Sequence, residues 1–229
     1  MYKNLFFDLD DTLWAFSENA RDTFEEMYYK HRLDRYFDCF DHFYTVYKER
    51  NEQLWLDYAA GLIDKEELNR QRFLYPLQVV GVDDAVLART YSEDFLNVIP
   101  TKSKLMPYAM EVLEYLAPRY NLYILSNGFR ELQSRKMESS GISGYFKKII
   151  LSEDLGLMKP DTRLFHYALS ATQSELGNSI MIGDNWDADI TGAKESGMDQ
   201  VYYNFNRHEQ LPFNPTYTIN SLIELKEIC

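Results

Sequence analysis

Short apolar runs alternate with helix-length amphipathic segments from about residue 100 onward. The runs that have the length of buried strands lie at 122–125, 149–151, 179–182 and 200–203. Each is separated from the next by enough residues for a helix, and parallel strands require such crossover connections. The pattern therefore predicts an α/β fold built on a parallel sheet.

A further strand of the same sheet is expected at residues 4–8, where another short apolar run ends in polar residues. The spacing of apolar residues also predicts helices between the strands. They are expected at 108–117, 131–139, 163–170 and 188–195.

The segment between the first strand and the rest of the sheet has a different character. It has few β-type runs, and its two glycines, Gly61 and Gly81, are each followed by aspartates that suit helix N-caps. Helices are expected at 19–30, 40–58, 65–80 and 84–98. The chain is thus predicted to form a core domain of residues 1–15 and 99–229, with an all-α cap domain of residues 16–98 inserted after the first strand.

The charge balance excludes several classes of partner. With 24 Lys and Arg against 36 Asp and Glu, the net charge of −12 repels nucleic acid and anionic membrane surfaces. Neither is expected as a partner, and a small anionic substrate requires a local cation. Cys39 and Cys229 have no metal-type spacing. No apolar stretch suits a signal peptide or a membrane span, so a cytoplasmic location is expected.

Two aspartates, Asp8 and Asp10, directly follow the first predicted strand. Carboxylates at positions i and i+2 that leave a strand can share one crevice, where a divalent cation would neutralise them. The pattern alone is not specific, because Asp187 and Asp189 repeat it. A loop that caps the next helix explains Asp8 and Asp10 equally well.

Three further polar elements follow strands or precede helices: Ser126-Asn127-Gly128, Lys159-Pro160-Asp161 and Gly183-Asp184. The first could bind oxygen atoms through its hydroxyl and the amides of the following helix start. Taken singly, each has an ordinary interpretation: a strand-to-helix turn, a surface lysine before a capped helix, and helix capping by acidic residues.

In the order FDLDDT, SNG, KPD and GDNWDAD, with a helical insert after the first, these motifs resemble the haloacid dehalogenase-like hydrolase superfamily over essentially the whole chain. The resemblance implies a Rossmann-like, doubly wound parallel sheet with a four-helix cap. The longer strings FDLDDTLW, LSNGFRELQSRKMESSGISGYF and SEDLGLMKPDTRLFHYAL are most similar to the 5′-nucleotidase branch, which acts on pyrimidine and noncanonical nucleotides.

The resemblance also implies catalytic roles. Asp8 would be the nucleophile that forms an aspartyl-phosphate, and Asp10 would be the general acid and then the general base. Mg²⁺ would be held by Asp8, by Asp184 and by the main-chain carbonyl of Asp10. Lys159 and Ser126 would bind phosphoryl oxygens.

Other residues would act around this site. Asp189 would orient metal-bound water or the lysine, and Thr12 and Asn127 would support the loops. The candidate substrate contacts are Trp14, Phe16, Gly128, Phe129 and Arg130. For any one of the larger side chains, ordinary packing between cap and core is the competing interpretation.

Asp10 also indicates which reaction is catalysed. By the resemblance, members that cleave carbon–halogen bonds lack an aspartate two places after the nucleophile, since a halide leaves without a proton. The sequence therefore predicts a Mg²⁺-dependent phosphatase of a small phosphorylated metabolite, with a nucleoside 5′-monophosphate as the favoured substrate. The alternatives are a phosphatase of sugar, sialic-acid or glycolate phosphates, a sugar-phosphate mutase, and a binding module without turnover.

Overall fold

The computed structural model describes residues 1–229, which divide into two compact units. Unit 1 consists of Met1–Phe16 and Ser103–Cys229, and unit 2 of Ser17–Lys102. The cap role of the second unit, with its boundaries at residues 16 and 98, stays a prediction.

Unit 1 contains a sheet of six parallel strands. They are β1 (Asn4–Phe7), β2 (Asn121–Ser126), β3 (Lys148–Leu151), β4 (Ser179–Gly183), β5 (Asp199–Tyr203) and β6 (Tyr217–Ile219). Their spatial order is β3-β2-β1-β4-β5-β6, so β1 pairs with β2 on one side and with β4 on the other. The predicted α/β fold with a parallel sheet is confirmed, and the strand order reverses direction between β1 and β4.

Helices cover both faces of this sheet. The helices of unit 1 are α5 (Ala109–Leu116), α6 (Arg130–Ser139), α7 (Thr162–Thr172), α8 (Gly192–Glu195) and α9 (Leu225–Ile228). Phe6 and Met181 on one face pack in a common cluster with Phe165 of α7. Leu5 and Phe7 point to the opposite face and are also fully buried. Burial on both faces explains why the strands are short continuous apolar runs.

Unit 2 is helical, as the sequence predicts. Its helices are α1 (Phe16–Lys30), α2 (Phe40–Ala59), α3 (Lys65–Val79) and α4 (Ala85–Val98). Phe24 packs against Tyr47 and Phe95 with ring centroids 4.0 and 4.1 Å apart. Asp64 accepts a hydrogen bond from the Glu67 amide and so caps α3. None of the helices in either unit is long and apolar enough to cross a bilayer.

The structure differs from the prediction near the C-terminal end. In place of one α-helix at 188–195, a π-helical turn over Trp186–Thr191 leads into the short α8. The wider turn is closed by the Asn185 carbonyl, which accepts hydrogen bonds from Asp189 and Ile190 at 3.0 and 3.4 Å. Strand β6 was not predicted because its residues Tyr217 and Thr218 are exposed and form no apolar run.

Candidate active site

The polar motifs of the sequence lie at the carboxyl ends of neighbouring strands in unit 1. Asp8 follows β1, Ser126 is the last residue of β2, and Asp184 follows β4. Because these three strands are adjacent and parallel, their ends meet at one edge of the sheet. Lys159 reaches the same edge from the loop before α7.

The ammonium group of Lys159 lies at the centre of this cluster. Its Nζ donates hydrogen bonds to Asp8 Oδ1 at 2.6 Å, to Asp189 Oδ1 at 2.6 Å and to the Leu125 carbonyl at 2.8 Å. Three acceptors match the three N–H donors of an ammonium. Lys159 is 3% exposed and Asp189 is fully buried, so the ion pairs are shielded from water.

Asn127 fixes the main chain of this lysine. Its Nδ2 donates to the Lys159 carbonyl at 3.0 Å, and its Oδ1 accepts from the Lys159 amide at 2.8 Å. The two hydrogen bonds connect the loop after β2 with the loop before α7. Asn127 thus contacts the main chain of Lys159, a residue that is predicted to bind phosphoryl oxygens.

Three carboxylates form an acidic cluster beside the lysine. One oxygen from each of Asp8, Asp184 and Asp189 lies within 4.8 Å of the others. Thr12 holds Asp184, since its Oγ1 donates to Asp184 Oδ1 at 2.9 Å and accepts from the Asp184 amide at 3.1 Å. The cluster contains two of the predicted metal ligands, Asp8 and Asp184. Asp189 joins them through a carboxylate that also pairs with Lys159.

The ionisation of these groups reflects first their burial and then the charge of their neighbours. Burial raises the pKa of Asp8 to about 7, with further increases from Asp189 and Asp10 and an opposing effect of Lys159. Burial, together with Asp8 and Asp189, raises the pKa of Asp184 well above its usual range. Burial alone would lower the pKa of Lys159, but Asp189 and Asp8 raise it above its ordinary value. The lysine therefore stays charged and does not balance all three carboxylates.

Asp10 lies outside this cluster and has its own partners on α6. Lys136 Nζ donates to Asp10 Oδ1 at 2.7 Å, and Gln133 Nε2 donates to Asp10 Oδ2 at 2.9 Å. No role for either side chain was predicted from the sequence. Their i, i+3 spacing puts both on one helix face, but polar residues on a helix ordinarily indicate a solvated face.

Gln133 also reaches Ser126, whose Oγ accepts from Gln133 Nε2 at 2.7 Å and from the Gly128 amide at 3.1 Å. A β-carbon on Gly128 would lie 2.2 Å from Gln133 Nε2. Glycine at position 128 therefore leaves room for the glutamine side chain. A substrate contact of Gly128 stays a prediction.

The other candidate substrate contacts are placed as follows. Trp14 is fully buried, and Lys136 Nζ lies 4.7 Å from its ring centroid and 5.2 Å from that of Phe16. Phe129 is buried at the start of α6. The exposed Arg130 forms an ion pair with Asp154. Trp14 and Phe129 are thus buried side chains, and substrate binding by any of these residues stays a prediction.

Known proteins that are similar to this chain include nucleotidases and dehalogenases. The chain is 29% identical to the pyrimidine 5′-nucleotidase YjjG of Escherichia coli, over 98% of this chain and 96% of that protein. The crystal structure of the HAD-hydrolase YfnB of Bacillus subtilis bound to magnesium superposes with a TM-score of 0.88 at 27% identity, covering 99% of this chain and 98% of that one.

A 2-haloacid dehalogenase of Pseudomonas syringae shares the fold at a TM-score of 0.70 and 25% identity, covering 100% of this chain and 98% of that one. The model of one family, the haloacid dehalogenase-like hydrolases, matches residues 2–197. That span includes the acidic cluster, Lys159 and Asp10. The chain belongs to the haloacid dehalogenase-like hydrolase family.

Proposed function

We propose that this hydrolase is a Mg²⁺-dependent phosphomonoesterase that acts through an aspartyl-phosphate on Asp8. One observation carries the proposal: Asp8 and Asp10 are two residues apart but have separate sets of partners. Asp8 lies in the acidic cluster with Lys159, whereas Asp10 is held by Gln133 and Lys136. Two carboxylates in different environments suit two different chemical tasks.

In the first half-reaction Asp8 attacks the phosphorus atom of the ester. Its Oδ1 accepts from Lys159, which leaves Oδ2 as the attacking oxygen. The new Asp8–phosphorus bond forms as the bond between phosphorus and the ester oxygen breaks. Asp10 gives its proton to the leaving alkoxide, which departs as an alcohol.

In the second half-reaction water attacks the phosphorus atom of the aspartyl-phosphate. Asp10, now ionised, takes a proton from that water, and the Asp8–phosphorus bond breaks. Inorganic phosphate is released and both aspartates return to their initial states. In both steps Lys159 would bind a phosphoryl oxygen in exchange for one of its three present acceptors, and the hydroxyl of Ser126 would donate to another.

The donor set fits a magnesium ion. Asp8 and Asp184 supply carboxylate oxygens, the ligand type that Mg²⁺ prefers, with the main-chain carbonyl of Asp10 as the further proposed ligand. Bound there, Mg²⁺ would neutralise charge on the transferring phosphoryl group. Three carboxylates beside a single ammonium leave negative charge that Lys159 alone does not balance, and this supports a divalent cation at this position.

Nucleoside 5′-monophosphates are the proposed substrates, and the similarity to YjjG supports this choice. The dehalogenase reaction is the second candidate, because a dehalogenase shares the fold. Asp10 favours phosphoryl transfer, since a departing alkoxide needs a proton and a halide does not. We also propose the cytoplasmic location that the sequence analysis predicts.

A substrate panel tests these proposals. We expect phosphate release from dUMP, dTMP or UMP in the presence of Mg²⁺ and its loss on addition of a chelator. Asp8→Asn should abolish turnover, with Asp187→Asn as the matched control, since Asp187 makes no predicted contribution. Faster turnover of hexose or glycolate phosphates would exclude the nucleotidase. Halide release from 2-haloacids without phosphate release from any ester would exclude the phosphatase.

A further inference from the structure

The side chain of Asp10 is held at both of its oxygens by one face of α6. Lys136 contacts Oδ1 and Gln133 contacts Oδ2, at 2.7 and 2.9 Å. The two donors are one helical turn apart, so their relative position is set by the helix. A carboxyl group that is held at both oxygens cannot rotate freely about its terminal torsion.

Lys136 is placed to hold Asp10 and not to bind a substrate. Its side chain is 4% exposed, whereas that of Asp10 is 28% exposed. The ammonium lies over the rings of Trp14 and Phe16 and is thereby fixed from a second direction. Of the two side chains, only that of Asp10 is therefore accessible to a substrate.

Gln133 connects Asp10 with Ser126. Its Nε2 donates to both side chains, at 2.9 and 2.7 Å, so one amide group fixes the distance between them. The carbonyl oxygen of the same amide, Oε1, is buried and accepts no hydrogen bond. A buried acceptor without a hydrogen bond is unfavourable, and an apolar side chain of the same shape would avoid that cost. Such a cost is expected where a side chain serves the site.

We propose that Lys136 and Gln133 are positioning residues that hold the carboxyl group of Asp10 toward the ester oxygen and in register with Ser126. The proposal rests on the proposed phosphatase function. It predicts that the effect of losing either residue depends on the leaving group of the ester. Loss of either positioning residue should slow the hydrolysis of esters whose alcohol must be protonated, and should spare esters whose leaving group departs as an anion.

The test compares dTMP with p-nitrophenyl phosphate in kcat/KM, which reports the steps up to formation of the aspartyl-phosphate. General acid catalysis contributes roughly 100- to 10,000-fold. We therefore expect Lys136→Met and Gln133→Met to lower kcat/KM for dTMP by at least about 10-fold more than for p-nitrophenyl phosphate. Inhibition of Lys136→Met by inorganic phosphate should change little, because Lys159, Ser126 and the hydrogen bond from Gln133 to Ser126 remain.

Two further variants separate positioning from a general structural effect. Lys136→Arg keeps a cation and a donor beside Asp10 and should restore most of the dTMP activity. Lys148→Met removes an exposed ammonium that donates a hydrogen bond to the Ala171 carbonyl, and should leave both activities unchanged. Thermal unfolding of each variant reports whether it is folded, and Gln133→Met carries the test if Lys136→Met does not fold.

An equal loss on both esters, or no loss on either, would overturn the positioning role. So would a failure of Lys136→Arg to restore activity while Lys136→Met stays folded. Failure of the proposed function gives a different result: the unsubstituted protein would release no phosphate from either ester. A loss confined to dTMP and reversed by arginine supports the proposal.

Discussion

The Lys159 ammonium and the Asp189 carboxylate form a buried ion pair, with Nζ and Oδ1 2.6 Å apart. The same nitrogen lies 2.6 Å from Asp8 Oδ1, so one cation serves two carboxylates of the acidic cluster. Burial of all three groups means that the lysine affects the folding of unit 1 as well as the proposed chemistry.

Replacement of this lysine should reduce stability in a pH-dependent manner. Lys159→Met leaves Asp8 and Asp189 without their cation, and removal of one partner of a buried pair costs about 3–5 kcal/mol. The loss in the free energy of unfolding should be largest at alkaline pH, where the carboxylates are ionised, and smaller at acidic pH, where they are protonated. Urea denaturation at two pH values measures the difference.

Lys226→Met is the matched control for that experiment. Lys226 forms a solvent-accessible ion pair with Glu111, with the two side chains 28% and 54% exposed, and surface pairs contribute roughly 0–1 kcal/mol. A Lys159→Met protein as stable as this control at both pH values would contradict the role of the lysine in the buried cluster.

Gly183 is required by the close approach of Asp189. A β-carbon at position 183 would lie 2.2 Å from Asp189 Oδ2 and 2.6 Å from its β-carbon. We expect Gly183→Ala to displace Asp189 from Lys159, to destabilise the protein by about 1–3 kcal/mol and to remove most of the activity. Denaturant titration and phosphate release measure the two effects.

Gly144→Ala provides the comparison. A β-carbon on Gly144 would meet nothing within 4 Å. This substitution should therefore leave stability and turnover near those of the unsubstituted protein. Equal behaviour of the two alanine variants would show that Asp189 can move without consequence.

The sequence was sufficient to predict where the polar motifs lie. Asp8, Ser126 and Asp184 each end a run of apolar residues, and parallel strands bring such ends together. The position of these residues after apolar runs was therefore enough to predict this part of the site. The motif containing Lys159 was predicted in the same way, as a polar element before a helix.

The partners of Asp10 could not be predicted by the same reasoning. Lys136 and Gln133 are polar residues on a helix, and their burial depends on how α6 packs against the loop after β1. The π-helical turn that carries Asp189 was likewise not predicted, because apolar periodicity does not distinguish it from an α-helix. The contact of Asp189 with Lys159 is a tertiary contact that periodicity does not encode.

Magnesium should stabilise the protein more strongly as the pH rises. The pKa of Asp8 is about 7 in the folded protein against 3.8 for an ordinary aspartate, so between these values the folded state binds more protons than the unfolded state. Stability without metal should therefore fall as the pH rises through this window. A cation replaces those protons, and its effect on Tm should grow from about pH 6 to about pH 8.

Thermal unfolding with and without MgCl₂ across that range measures this dependence. In Asp8→Asn the side chain does not titrate, so the pH dependence of the magnesium effect should be weaker. The same increase in Tm at both ends of the range would show that the ion does not compete with protons in the acidic cluster.

Thr12 should control magnesium affinity through Asp184. The hydroxyl is fully buried and makes two hydrogen bonds with Asp184, one to the carboxylate and one from the amide. Thr12→Val keeps the shape of the side chain but removes both. Because groups that orient a metal ligand affect affinity by about 10- to 100-fold, we expect a Mg²⁺ dissociation constant raised by that factor.

The loss of these hydrogen bonds should also lower the free energy of unfolding by about 1–3 kcal/mol, since the Asp184 amide would lose its acceptor. Calorimetric titration with Mg²⁺ and denaturant unfolding measure the two effects. Thr12→Ser retains the hydroxyl and should recover most of the affinity. Thr101→Val, which removes an exposed hydroxyl bonded only to the Val98 carbonyl, should leave Mg²⁺ binding unchanged. Magnesium affinity that is the same in Thr12→Val and Thr101→Val would place the ion away from Asp184.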